Sequence, residues 1–152
     1  MQLCLFFAGR NTLLMKKLFS TNYSDNAFNI GIFVMRVVAG LSMAVSHGYG
    51  KLTDFSTTAV QQASNPYHLP GNVAAGMLVF AEFFCAILIV LGLLTRFAAF
   101  ALIIAMGTAF FVAHKGQLFA KGSEASAMFL VIFFALLLVG PGKFSADKLI
   151  GK

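Results

Sequence analysis

Residues 73–94, VAAGMLVFAEFFCAILIVLGLL, form an apolar run of 22 residues with one charge, Glu82, near its middle. As a helix rising about 1.5 Å per residue, the run reaches roughly 33 Å, about the thickness of a bilayer's hydrocarbon core. A carboxylate at that depth is costly unless it faces a partner or a polar cavity. The candidate partner is Arg36, the other charge inside an apolar run.

Composition places the whole chain in the same class. Hydrophobic residues make up 59% of the 152 positions and charged residues 11%, where about 25% charged is usual for a soluble domain. Mean hydropathy is +0.87. The net charge of +6 does not mark a nucleic-acid binder, because the basic residues stand near helix ends and interleave with no aromatics. The 18 phenylalanines fall mostly within the apolar runs, where lipid contact and packing account for them. Cys4 and Cys85 stand 81 positions apart with no Cys-x-x-Cys, so dithiol relay chemistry and cysteine-rich metal sites are not expected. Cys85 reads as a small packing residue.

The expected fold is all-α: an antiparallel bundle of four transmembrane helices, with spans at about 27–46, 73–94, 97–113 and 125–140. These form one membrane domain over 27–152, preceded by a segment over 1–26. Met15-Lys16-Lys17 resembles an ordinary start, which makes residues 1–14 either an extension ahead of it or a short interfacial helix. In the first span Arg36, Gly40, Met43 and His47 fall within about 40° of one another on a helix, so that stripe faces a neighbour or a cavity. Phe33, Val34, Val38 and Leu41 face the other way. The connection from His47 to Gly71 is the longest. Asp54 is placed to cap a short surface or re-entrant helix over 55–63, which Asn65-Pro66 and Pro70-Gly71 end. Ala101, Ala105, Ala109 and Ala113 repeat every four residues, a small-residue ridge expected to form an interhelical seam. Glu124 is expected in the first turn of the fourth span, and Gly140-Pro141-Gly142 ends that span.

Lysine and arginine set an orientation. With both termini cytoplasmic, the inner side holds Arg10, Lys16, Lys17, Arg96, Lys143, Lys148 and Lys152, and the outer side Lys51, Lys115 and Lys121.

Counted from the ends of their spans, Arg36 and Glu82 differ in depth by about 4.5 Å, which long side chains bridge. Such a pair either fixes helix register or builds a polar site for a head group, a quinone carbonyl or a proton. His47 and Lys51, four apart, share a face at the outer rim if the helix continues past Gly48. His114 closes the third span near the same level. Two histidines there could bracket a quinone ring; haem is disfavoured because each histidine would have to lie deeper and turn inward. The plainer reading is interfacial polar residues. No His-x-x-x-His pair, nucleophile–base pair, phosphate loop or dinucleotide fingerprint is present.

Several pieces together, in order and spacing, resemble the DoxX family of small four-helix membrane proteins over residues 15–152. They are Arg36-Val37-Val38-Ala39-Gly40, His47-Gly48-Tyr49-Gly50-Lys51-Leu52, Glu82, Gly92-Leu93-Leu94-Thr95-Arg96-Phe97-Ala98-Ala99, and Gly140-Pro141-Gly142-Lys143-Phe144-Ser145-Ala146-Asp147-Lys148-Leu149. The family's namesake is linked to thiosulfate oxidation with electron delivery to quinone. Other members resemble anchors of redox or oxidative-stress complexes. The family pattern carries over to Arg36, His47, Lys51 and Glu82.

The resemblance and the buried charges imply an accessory or anchor subunit in quinone-linked redox chemistry. Its expected setting is a bacterial inner membrane, with a ligand held by Arg36, Glu82, His47, Lys51 and His114. The implied partners are the lipid bilayer, a redox protein and a second copy of the chain; quinone is the one cofactor implied, and no metal or nucleic acid is. A self-contained catalytic centre is not visible. Two other classes fit the same charges: a small proton or solute transport subunit, and a purely structural membrane partner.

Overall fold

The structure, a computed structural model, describes residues 24–151. The question of Met1 against Met15 lies outside the described residues. Among the described residues six helices follow in order: α1 Asp25–Thr53, α2 Phe55–Gln61, α3 Gly71–Leu91, α4 Thr95–Ala113, α5 Ser123–Val139 and α6 Ala146–Leu149. A 3₁₀ turn at Gln62–Ser64 extends α2. Among the described residues there is no strand. The chain is thus the all-α bundle expected, with a short helix between the first two long ones.

Each long helix exists because lipid-length apolar sequence must satisfy its own backbone. α1, α3 and α4 are long and apolar enough to cross a bilayer, and α5, at 17 residues, is the shortest of the four. Its rise of roughly 25 Å falls at the lower end of what spanning requires. α3 and α4 meet in a tight turn in which Gly92 adopts the left-handed conformation with φ +69°. There the Gly92 and Leu93 amides donate back to the Ile89 and Leu88 carbonyls. α4 and α5 form the most extensive helix pair, and α3 packs between α1 and α4. The core brings together Ala39 and Met43 of α1, Cys85, Ala86 and Ile89 of α3, Leu102 and Met106 of α4, and Phe133 and Leu136 of α5. Cys85 is a buried packing thiol.

α1 departs most from expectation. It runs on through Gly48 and Gly50 to Thr53 instead of ending at Ser46. Gly48 lies within the helix, where it permits close contact. A Cβ on it would lie 2.6 Å from the Glu82 carbonyl oxygen and 2.8 Å from Phe83 Cα. Bundle packing therefore overrides the modest cost of a helical glycine. The expected stripe is otherwise present: Arg36, Gly40 and Met43 are buried, His47 is half-buried, and Phe33, Val34, Val38 and Leu41 are exposed to the lipid side.

Two smaller expectations change. The Asp54 side chain makes no cap bond; its backbone carbonyl instead accepts from the Thr58 amide and hydroxyl, each at 3.0 Å. The ridge Ala101, Ala105, Ala109 and Ala113 is not a closed helix seam either: it lines an open groove, while Ala98, Ala99, Leu102 and Met106 form the buried side of α4. Residues 61–69 border that groove opposite α4, so the ridge faces the groove instead of another helix.

Candidate functional site

Two polar constellations are built into the bundle, at different depths. The first lies at the end where α1 begins and the C-terminal segment returns. Arg36, 1% exposed, donates from its two terminal nitrogens to the carbonyls of Pro141 (2.7 Å) and Phe144 (2.6 Å). Its guanidinium stands 5.7 Å from the Phe33 ring centroid. It also presses on Gly92, where any Cβ would collide with it. The Asp147 carboxylate accepts from the Leu94 amide (2.8 Å), the Thr95 amide (3.0 Å) and the Thr95 hydroxyl (3.1 Å). In return the Asp147 amide donates to the Gly92 carbonyl at 2.9 Å. Asn29 accepts from the Lys143 amide at 2.8 Å. This network fastens the first helix, the α3–α4 turn and the tail into one lock.

The second constellation lies at mid-depth. Lys51 Nζ meets Glu82 Oε2 at 2.5 Å, and Glu82 is 2% exposed while the Lys51 side chain is 31% exposed. The local helix geometry explains the meeting. Wide π turns occur in α1 at Ala44–Gly48 and in α3 at Phe80–Cys85, and they pack against each other. Such turns widen a helix locally and often mark functional positions. Gly48 brings the two backbones together, and Lys51, three residues on, reaches across to Glu82.

The expected Arg36–Glu82 pair is therefore replaced by two separate arrangements. Arg36 stands level with Gly92, ten residues and about 15 Å along α3 from Glu82. The depth count failed because α1 extends past α3 at its N-terminal end, so position within the helix is not depth within the bundle. Lys51, expected at the rim, is Glu82's partner. His47 packs edge-on against the Phe129 ring at 5.8 Å, and His114 caps α4 beside Gly122. No hydrogen bond or ring contact joins the two imidazoles, and neither lines the groove described next.

Lys51 and Glu82 line a groove of about 1000 Å³ between α3, α4 and the 61–69 segment. Its floor is apolar, from Phe97 and Phe100 through Ile104 to Val112. Its cover is a loop folded around Asn65. That side chain donates to the Gln62 and Leu69 carbonyls and accepts from the Tyr67 and Leu69 amides. The loop reaches α4 through the Tyr67 and Thr108 hydroxyls, 2.6 Å apart. Thr108 gives its own proton to the Ile104 carbonyl at 2.8 Å, so Tyr67 is the donor to Thr108. Sequence reasoning missed Asn65, Tyr67 and Thr108; Asn65-Pro66 marked a turn but not the four bonds that hold it.

The DoxX family model matches residues 31–115, which include Arg36, Lys51 and Glu82. The chain belongs to the DoxX family. An uncharacterized protein of Haemophilus influenzae is 33% identical, over 75% of this chain and 86% of the relative. No solved structure matches. The DoxX family and the spanning helices together make this a membrane protein.

Proposed function

We propose that this DoxX-family protein is an accessory subunit of quinone-linked redox chemistry that holds a lipid-soluble ligand in the groove beside Lys51 and Glu82. The observation that carries the reading is a nearly fully buried carboxylate, paired with an ammonium, at the wall of an apolar groove. Intramembrane ionisable groups mark functional sites by default. Ligand pockets typically set a few polar groups in an apolar lining of about 300–1,000 Å³. The small side chains of the alanine ridge keep the groove wide enough for an extended apolar chain. Arg36 belongs to the structural lock in this reading, and His47 and His114 stand outside the ligand site.

The same reading sets the chain in a bacterial inner membrane with both termini cytoplasmic. Pairing with Glu82 removes Lys51 from the outer count, which leaves Lys115 and Lys121 there and strengthens the bias. In this reading the protein presents the ligand to a redox partner.

The test is organic extraction of the detergent-purified protein, followed by titration with decylubiquinone. Stoichiometric quinone in the extract, with binding lost in Lys51→Met and Glu82→Leu variants that remain folded, is the expected result. Absence of quinone together with no binding would overturn it.

A further inference from the structure

The Lys51–Glu82 pair is incompletely bonded, and the unused positions specify a head-group chemistry. Glu82 Oε2 accepts from Lys51, while Oε1 accepts no hydrogen bond from the described residues although Glu82 is 2% exposed. Oε1 is not sealed into the protein core: Glu82 forms part of the groove wall. Lys51 spends one N–H on Glu82 and keeps two. The groove thus offers one strong acceptor and neighbouring donors, and the two charges sum to zero.

We propose that the groove selects an uncharged long-chain amphiphile whose head donates an O–H to Glu82 Oε1 and accepts an N–H from Lys51. This favours a phenol or alcohol over a head with carbonyls alone. It rests on the proposed function, within which the favoured species is the reduced hydroquinone form. Anionic heads meet Glu82 and cationic heads meet Lys51, and either would bring an unmatched charge into an apolar groove. A carbonyl-only head accepts from Lys51 but sets its lone pairs against Oε1 and leaves that oxygen unbonded. A hydroxyl completes both, and its bond to a carboxylate is of the charge-assisted kind. The apolar tail lies along Phe100, Ala101, Ile104 and Ala105, where no side chain competes for the space.

The experiment is anaerobic calorimetric titration of the detergent-purified full chain with decylubiquinol, decylubiquinone and the dimethyl ether of the quinol. The quinol is expected to bind about tenfold more tightly than the quinone, the effect of one hydrogen bond to a charged group. The ether keeps the ring and tail but has no O–H, and should bind no better than the quinone. Equal affinities for quinol and quinone, or an ether as tight as the quinol, would overturn the inference while leaving the quinone reading intact. Failure of all three to bind would overturn both. Glu82→Gln, which can donate to a carbonyl, should bring the quinol-to-quinone ratio towards one; a ratio unchanged in the folded variant counts against Glu82. The wild-type ratio decides the question without any variant.

Discussion

Replacing Arg36 by methionine should unlock the tail and cost stability without touching the groove. The guanidinium is 1% exposed and makes two short hydrogen bonds, to the Pro141 and Phe144 carbonyls, across more than 100 residues of sequence. Each bond from a charged donor contributes about 1.5–3 kcal/mol net. Pro141 is half-buried and Phe144 exposed, so water can reach the freed carbonyls and the lower value applies to each. The expected loss is about 3–4 kcal/mol, in the range seen when one partner of a buried charged contact is removed. For a chain of this size that corresponds to a fall in Tm of roughly 10 °C. Arg36→Lys keeps the charge but has a point-like head that cannot fork to two carbonyls, so about half the loss should remain. Thermal unfolding in detergent, followed by circular dichroism at 222 nm, gives both values. The order methionine, lysine, wild type in rising Tm is expected, with decylubiquinone affinity per folded molecule unchanged. A methionine variant within about 2 °C of wild type would refute the lock. One that unfolds no earlier yet loses the ligand would return Arg36 to the site.

Three further outcomes follow from particular contacts. Asp147→Asn removes the charge and one acceptor from a carboxylate serving Leu94 and Thr95, and should cost about 1–3 kcal/mol in the same unfolding assay. Gly48→Ala forces a methyl to within 2.6 Å of the Glu82 carbonyl, so α1 and α3 must part. A loss of about 1–3 kcal/mol is expected, and ligand affinity should fall with it because Lys51 is drawn away from Glu82. Tyr67→Phe removes the hydrogen bond joining the loop to α4 at 2.6 Å, and should speed ligand dissociation measured by stopped flow while changing Tm by little, because both hydroxyls are exposed.

The spanning helices were legible because lipid imposes a length, and residues 73–94 meet it with a single charge inside. The buried stripe of α1 was legible from helical spacing alone. The partner of Glu82 was not. Gly48 suits a turn and a close backbone approach equally well in the sequence, and only the α3 backbone lying against it decides for the approach. The lock was equally hidden: its bonds join Arg36 to residues more than 100 positions away and Asp147 to a turn more than 50 positions away. No local pattern encodes such separations. The alanine ridge was seen and misread, since small residues at helical spacing suit a close helix contact and an open groove equally well.

Photoaffinity labelling with an azido-quinone in native membranes, mapped by peptide mass spectrometry, tests the central claim most directly. Label should fall on residues 61–82 of the loop and α3 and on residues 97–113 of α4, the two sides of the groove. Label concentrated around Arg36 and residues 141–148, or none displaced by excess unlabelled quinone, would contradict it.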